Sequence, residues 1–388
     1  MSGRADLERD FERFKRDVPR DFAAHVRSAY GVNLDARYLG EALPHPIGKG
    51  SGQLSLNAGQ LEQDADAGLA FSVLKTLIAE DRGGERSMGA WAVHETRMTV
   101  ERRLAASRRE GWTVTWKGRG WDRDFADYLA LVRAARDLTR AGRLLAVPSV
   151  KYHLPAGEEA FRESEYRHTT GALADAWGAG PLLLEKDFSP TLAGDALAGE
   201  RSAVLRWLRE VPRLVRAAAP VRLAVKLMNA RFDDAFQLEM MRAAADAGAD
   251  TLVCFNRLFD PAKSVAFGGW DLSDRNLRVL DLFQRSFQPS NFPTVRLTGT
   301  GNICSGKMIL EYARLGCESV ELHTFFQLPL SVYPATHGSR SQRALHSLVF
   351  DPGEGLVAGL LDLEARGVLQ RRGGELHFLD VLPPSHAY

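Results

Sequence analysis

The sequence has little cysteine, little net charge and no long apolar run. Three cysteines in 388 residues, Cys254, Cys304 and Cys317, are too few and wrongly spaced for a disulfide framework, a cysteine-based zinc site or an iron–sulfur centre. Fifty basic residues against 49 acidic ones give no support to a nucleic-acid or membrane-coating protein. No window approaches the ~20 apolar residues of a membrane span. The first residues lack an apolar signal core, so we expect a cytoplasmic protein.

What the chain does have is a globular composition, with 45% hydrophobic and 26% charged residues. From about residue 45, apolar runs of β type alternate with segments of helical periodicity. The eight runs are Pro46–Lys49, Leu69–Leu77, Leu144–Tyr152, Pro181–Asp187, Val221–Met228, Thr251–Asn256, Thr294–Thr298 and Ser319–Phe325. The helical segments are Asp122–Ala141, Glu158–Trp177, Arg201–Ala219, Phe236–Ala247, Ser273–Phe287 and Ser305–Leu315. Continuous apolar strands between helices predict a parallel sheet buried on both faces, and eight units favour an α/β fold of the (β/α)8 TIM-barrel type.

Two appendages flank the predicted barrel, which we place at residues 34–350. Residues 1–33 are predicted to form a helical extension that Pro19 divides. Its apolar face would pack on the main body or on a second subunit, so a homodimer is one of the two possibilities. Residues 351–388 form a small cap with a helix, Leu356–Arg366, and a strand, Glu375–Leu379. No basic recognition surface accompanies this cap, so we expect no nucleic-acid partner.

A long insertion, residues 79–123, follows the second run and holds four tryptophans among many charged residues. On a barrel, a segment after a strand's carboxyl end lies over the active-site mouth, where it forms a lid or substrate wall. A surface excursion or a subunit interface is the alternative. Trp116 and Arg119 are the substrate-binding candidates of this segment, suited to an aromatic or anionic small molecule.

The strongest local motif is the glycine-rich stretch Gly299–Gly306, which follows a strand and begins a helix. Small residues let the backbone approach a ligand, and free N–H groups at a helix start attract phosphate. Thr324, at the end of run eight, would complete such a site, because barrels bind phosphate at the loops after strands seven and eight. A tight turn without a ligand is the alternative.

Two lysines lie inside apolar strands, Lys75 near the end of run two and Lys226 near the end of run five. A buried lysine is costly unless it meets an anion or a polar ligand. A Schiff-base lysine or a structural ion pair would give the same pattern. Two such lysines on separate strands, with a phosphate loop, favour a ligand at the carboxyl ends of the strands.

These residues, in this order, resemble the dihydroorotate dehydrogenase family of FMN-dependent barrels. The segment Leu34–Gly52 resembles the family's first strand and its approach to the flavin. Lys75-Thr76, Lys226, Asn256 and the loop Phe267–Gly269 resemble the flavin contacts after strands two, five and six, and Gly299–Gly306 with His323-Thr324 resembles the phosphate turns. The cofactor-binding residues implied by the resemblance are Gly50, Ser51, Gly52, Lys75, Thr76, Asp187, Lys226, Asn256, Gly269, Gly299, Gly301, Asn302, His323 and Thr324.

The resemblance implies an FMN-dependent oxidoreductase acting on CH–CH bonds, with hydride passing between flavin N5 and a small cyclic or conjugated substrate. Lys226 would stabilise the reduced flavin, the FMN phosphate would bind around Gly301 and Thr324, and Ser189 would be the catalytic base. No metal is implied, and His94, His153, His168 and His323 show no metal-ligand spacing.

Departures from the family pattern lie mainly in the substrate site. Asp187 replaces a flavin-binding asparagine, Thr191 replaces a substrate-binding one, and the strand-four motif around Ser189 is one residue short. Because a site that hydrogen-bonds a pyrimidine fails without its polar groups, we do not expect orotate as substrate. A true dihydroorotate dehydrogenase and a catalytically silent binding barrel are the rivals. Glu185 and Asp187 alternate on one strand face, close enough to raise a pKa if both are buried.

Overall fold

The computed structural model describes residues 2–89, 98–104, 110–116, 120–188, 201–230, 232–260, 265–267, 270–286 and 294–384. The helices are α1 (Ser2–Phe14), α2 (Phe22–Tyr30), α3 (Ala58–Asp66), α4 (Phe125–Arg140), α5 (Glu163–Trp177), α6 (Arg201–Ala218), α7 (Asp234–Asp246), α8 (Trp270–Ser286), α9 (Gly306–Ala313), α10 (Thr324–Gln327), α11 (Arg340–Phe350) and α12 (Leu356–Ala365). None of the helices in these ranges combines the length and apolarity that crossing a bilayer would take.

The strands are β1 (Val32–Asn33), β2 (Ala36–Tyr38), β3 (Glu41–Leu43), β4 (Ile47–Lys49), β5 (Phe71–Val73), β6 (Leu77–Ile78), β7 (Met98–Leu104), β8 (Glu110–Trp116), β9 (Leu145–Val147), β10 (Ser149–Lys151), β11 (Leu182–Asp187), β12 (Val221–Lys226), β13 (Thr251–Cys254), β14 (Leu258–Asp260), β15 (Val265–Phe267), β16 (Arg296–Thr300), β17 (Cys317–Leu322) and β18 (Leu376–His377). Two short 3-10 helices, Leu330–Val332 and Phe378–Val381, complete the elements.

The centre of the fold is a curled parallel sheet of ten strands in the order β6-β10-β11-β12-β13-β16-β17-β4-β5-β9. Every strand of the sheet is buried along most of its length because helices follow the strands in sequence and cover the outer face. Each of the eight predicted runs contains strands of this sheet, so the predicted parallel α/β architecture is confirmed. The six predicted helical segments correspond to α4 to α9.

Several sequence expectations need correction in their bounds. Run three is split into β9 and β10, and run eight ends at Leu322, so that Thr324 and Phe325 belong to α10. Run two is not continuous: residues 74–76 separate β5 from β6, because Lys75 N donates to Ser55 O and Thr76 O accepts from Trp121 N instead of a neighbouring strand. Run seven begins two residues later than predicted, at Arg296. The predicted strand Glu375–Leu379 is only Leu376–His377, since its partner β1 is two residues long.

The N-terminal helices pack on the same chain. Pro19 lies between α1 and α2, as expected, and Leu7 and Phe14 of α1 are buried. The Phe11 ring stacks on His346 of α11 at 4.5 Å between ring centroids, and the Phe11 carbonyl lies 2.8 Å from His346 Nε2. These contacts fix the extension against the C-terminal helices. The domain boundaries stay predictions.

Candidate active site

Lys226, the last residue of β12, is a buried cation between two carboxylates. The β11–β12 register sets it beside Asp187, and its Nζ contacts Glu321 of β17 and lies 3.9 Å from Glu185 Oε1. Its side chain is 9% exposed, whereas both glutamates are fully buried. Burial alone would lower the pKa of Lys226, but Glu185 and Glu321 raise it above the ordinary lysine value. The side chain is therefore charged at all physiological pH values.

Asp187, at the end of β11, contacts side chains from three other segments of the chain. Its Oδ2 lies 2.8 Å from Lys151 Nζ, and its Oδ1 accepts a hydrogen bond of 3.0 Å from Asn256 Nδ2. Thr76 Oγ1 lies 3.5 Å from Oδ2. Burial alone would raise the pKa of Asp187, but Lys151 and Lys226 lower it to about 2. The sequence predicts a raised pKa in the Glu185/Asp187 pair, and the raised pKa is that of Glu185, caused by burial and then by Glu321.

A chain of hydroxyl groups joins these charges beneath the carboxyl edge of the sheet. Ser51 Oγ lies 2.8 Å from Thr76 Oγ1, which lies 3.1 Å from Ser149 Oγ. Ser149 donates to Glu185 Oε1 at 3.4 Å, and Tyr38 OH donates to Glu185 Oε2 at 3.2 Å. Burial, followed by the charge of Glu185, raises the pKa of Tyr38, so its hydroxyl stays a donor. The polar groups form one connected network, which makes the position of each depend on the others.

The residues after β4 meet the end of β17 at van der Waals distance. A Cβ at Gly50 would lie 2.6 Å from Glu321 Oε1, and one at Gly52 would lie 1.8 Å from His323 Nε2. Only glycine leaves room at these two positions. Burial, followed by the nearby charges of Arg257 and Lys75, lowers the pKa of His323 well below its usual range, so the imidazole is neutral. Lys226 acts on His323 in the same way, which places both predicted lysines near this ring.

The glycine-rich stretch Gly299–Gly306 begins within β16, which ends at Thr300, and its backbone is unusual just after the strand. Gly301 has φ +112° and Asn302 has φ +50°. Asn276 Nδ2 donates to Thr300 O at 2.7 Å, and a Cβ at Gly301 would lie 2.4 Å from that nitrogen. At Gly299 the missing side chain admits the Tyr312 ring. Phosphate binding at this loop stays a prediction.

The structure brings together five of the predicted site residues, namely Ser51, Thr76, Asp187, Lys226 and Asn256. Lys75 is buried, and Thr324 is the first residue of α10. Trp116 ends β8, with its side chain outside the described atoms. The predicted positions Arg119, Ser189, Thr191 and Gly269 lie outside the described residues.

Sequence reasoning missed Lys151, Glu321, Tyr38 and Ser149, all of which contact the predicted residues. Lys151 carried the signal that identified Lys75 and Lys226, because it is also a lysine within an apolar run. Lys186, a fourth such lysine, donates to Asp187 O at 2.9 Å and lies over the Phe188 ring. Burial lowers the pKa of Lys186 to about 7.

No family model matches the chain, and no curated protein matches it significantly. Within the described ranges, no three histidine, cysteine or acidic side chains are grouped as metal ligands. The site combines a fixed ammonium group, an ionised carboxylate, an amide and several hydroxyls at one sheet edge. This set can bind a polar cofactor or substrate and stabilise negative charge that develops on it.

Proposed function

We propose that this chain is an FMN-dependent oxidoreductase of dehydrogenase or ene-reductase type. Hydride would pass between flavin N5 and a small cyclic or conjugated substrate other than orotate. The observation that carries this proposal is Lys226, a buried, permanently charged ammonium group at the carboxyl end of β12. A cation fixed in a low-dielectric setting stabilises a cofactor that gains negative charge on reduction.

We infer that the ten strands form a closed eight-stranded barrel. β17 pairs with β4, β4 with β5 and β5 with β9, while β6 pairs with β10 and β10 with β11. Taking β5 with β6, and β9 with β10, as single interrupted strands gives a cyclic order of eight. The contact of Lys226 with Glu321 supports this closure, because β12 and β17 are not neighbours in the sheet order. Such barrels place their active sites at the carboxyl ends of the strands.

The residues present fit FMN by their donor chemistry. The ammonium group of Lys226, the ionised carboxylate of Asp187 and the amide of Asn256 lie together at the carboxyl edge of the sheet, and this set of donors and acceptors suits a flavin ring and its ribityl chain. Lys226 and Lys75 would face the flavin ring, Thr76, Asp187 and Asn256 its polar edge and ribityl chain, and the backbone around Gly301 and Thr324 its phosphate. The same proposal includes the other residues that the resemblance assigns. Those for the cofactor are Gly50, Ser51, Gly52, Gly269, Gly299, Asn302 and His323, and those for the substrate are Trp116, Arg119 and Thr191.

In this proposal FMN, when bound, supplies the hydride acceptor or donor. Lys226 holds a positive charge at the ring and favours its electron-rich form. Asp187 stays ionised and fixes Asn256 and Lys151, so the polar rim keeps its geometry during turnover. Ser189 moves the substrate proton. We also propose a cytoplasmic location, and the homodimer stays a candidate.

A second candidate is a catalytically silent binding barrel. The observation that favours it is that Lys226 already meets Glu321, so its charge is balanced without any ligand. A buried ion pair of this kind can be a structural element only.

The first experiment is to titrate the purified protein with FMN and to follow the flavin's visible absorption and fluorescence. We expect uptake of one FMN per chain and much slower flavin reduction in Lys226→Ala, since that charge acts on the reduced cofactor. Lys307→Ala, which removes a lysine from an exposed pair with Glu354, is the control. A colourless protein that takes up no FMN favours the silent barrel. Rapid bleaching of the flavin by dihydroorotate favours a true dihydroorotate dehydrogenase.

A further inference from the structure

Glu185 and Glu321 are two carboxyl groups that meet in the interior from strands that are not neighbours in the sheet. Glu185 belongs to β11 and Glu321 to β17, and both are 0% exposed as side chains. Both carboxyl groups converge on the same ammonium group, with Glu321 Oε1 in direct contact with Lys226 Nζ and Glu185 Oε1 at 3.9 Å from it. Burial, followed by the charge of Glu321 and a hydrogen bond between the two carboxyl groups, raises the pKa of Glu185. A hydrogen bond between two carboxyl groups requires a proton on one of them, because an ionised carboxylate only accepts.

The charges around Glu185 and Glu321 favour one proton on this pair of carboxyl groups. Asp187 is paired with Lys151 at 2.8 Å, and Lys186 donates to the Asp187 carbonyl, whereas Glu185 and Glu321 both approach the single cation Lys226 and would supply two negative charges against it if both were ionised. Asp187 is ionised beside Lys151, so the surplus negative charge falls on the two glutamates. Like charges in contact in a buried site do not both ionise. Tyr38 and Ser149 donate to Glu185 and add no charge.

The contacts also indicate where the proton and the charge lie. Lys226 Nζ is in direct contact with Glu321 Oε1 but 3.9 Å from Glu185 Oε1, so the nearer carboxylate carries the balancing charge. Glu321 Oε2 has no donor among the described residues. A proton on Glu185 supplies that missing donor. The same placement agrees with the raised pKa of Glu185, caused by burial and then by Glu321.

We propose that Glu185 and Glu321 share one proton and together position Lys226, with Glu321 as the anion that holds its ammonium group and Glu185 as the neutral partner that keeps Glu321 in place. Because Glu185 is neutral in this arrangement, the positive charge of Lys226 meets one negative charge, that of Glu321, and not two. The role at the cofactor ring rests on the proposed function, whereas the shared proton does not, and it is tested on the protein without added cofactor.

The proton is detected by infrared difference spectroscopy at neutral pH. We expect Glu185→Gln to remove the carbonyl band of a protonated carboxyl group, and that band to shift in D2O. Glu318→Gln is the matched control, because Glu318 lies on β17 in a pair with Arg296 and should remove a carboxylate band. Loss of a carboxylate band in Glu185→Gln would overturn the proposal.

The positioning role is tested by a double-mutant cycle on unfolding in urea. Each single variant, Glu185→Gln or Glu321→Gln, leaves one carboxyl group that ionises to balance Lys226, so each alone has a small effect. The double variant leaves the ammonium group buried without the two carboxyl groups that its Nζ approaches, and Asp187 beside it is already paired with Lys151. Each variant raises the equilibrium constant for unfolding by some factor. We expect the factor for the double variant to exceed the product of the two single-variant factors by about tenfold or more.

A triple variant separates this role from general damage to the core. Adding Lys226→Met to the double variant removes the unbalanced cation, so we expect it to restore most of the lost stability. Additive single effects, or a triple variant no more stable than the double one, would contradict the positioning role. Neither outcome depends on FMN uptake, so failure of the proposed function and failure of this inference are distinguishable.

Discussion

The two edges of the central sheet both carry many charged residues but use them differently. At the amino edge, Arg222 pairs with Glu41, Arg216 with Asp250 at 2.6 Å and Arg296 with Glu318 at 2.7 Å, around a cavity of about 650 Å³. The Arg216 and Arg222 side chains are 37% and 44% exposed. Each of these arginines pairs with a carboxylate, and water reaches the first two pairs.

At the carboxyl edge the charges are buried and shared among several partners. Lys226 meets two carboxylates, and Asp187 is held by Lys151 and Asn256. Exposed pairs contribute ~0–1 kcal/mol to stability, whereas breaking a buried pair costs ~3–5 kcal/mol. Well-packed apolar residues would fill such a core at least as stably. The amino edge thus has exposed pairs that add little stability, whereas the carboxyl edge holds a buried charge network of the kind that the proposed function would use.

The largest effect is expected for Lys226→Met. The substitution keeps much of the side-chain volume but leaves the buried carboxylates without their cation. We expect the free energy of unfolding to fall by about 3 kcal/mol, measured by urea denaturation at neutral pH. The control Lys307→Met breaks an exposed lysine pair and should cost under ~1 kcal/mol. Equal costs at the two lysines would remove the contrast between buried network and exposed pairs.

Asp187→Asn is expected to cost about 2 kcal/mol at pH 7, because the folded pKa of Asp187 is about 2 against the ordinary value of 3.8. A lowered carboxyl pKa contributes stability that is present above the unfolded pKa. That stability is lost as pH falls through the folded pKa. The difference between wild type and variant should therefore shrink from about pH 4 downward, measured as unfolding free energy against pH. A difference independent of pH would show that Asp187 acts by packing alone.

Much of the sheet could be predicted from sequence because each strand is buried on both faces and therefore apolar along its length. Lys75 and Lys226 stand out against that background. α3 and α11 were not predicted; α3 has a single large apolar buried residue, Leu61. The helix start of α11 is nevertheless marked by a capping box between Ser339 and Gln342.

The site was only partly predictable because its contacts are long-range. Lys226 and Glu321 are 95 residues apart, and no local pattern pairs them. The alternation of Glu185 and Asp187 predicted a raised pKa without showing which residue has it, because Lys151, the cation that pairs with Asp187, lies on β10. Sequence spacing reports which residues share a strand face, whereas the sign of a pKa shift depends on residues from other strands.

Gly52→Ala tests how tightly the β4 and β17 ends meet at the carboxyl edge. The new Cβ would lie 1.8 Å from His323 Nε2, so the imidazole must move. We expect a cost of about 1 kcal/mol, at the low end for overpacking, because a single ring can shift. In a His323→Ala background the cost should largely disappear, as a double-mutant cycle would measure. An unchanged cost in that background would place the strain in the backbone of the glycine.

The smallest effect is expected for Arg222→Ala at the amino edge. Arg222 lies on β12, the same strand as Lys226, and pairs with Glu41 of the β2–β3 hairpin. Because both side chains of the pair reach water, their removal should change the free energy of unfolding by no more than ~1 kcal/mol. Urea denaturation at low and high salt should show most of this effect screened at high salt. If Arg222→Ala lowered the free energy of unfolding as much as Lys226→Met, the exposed Arg222–Glu41 pair would be as important for stability as the buried network. The two edges would then have the same structural role.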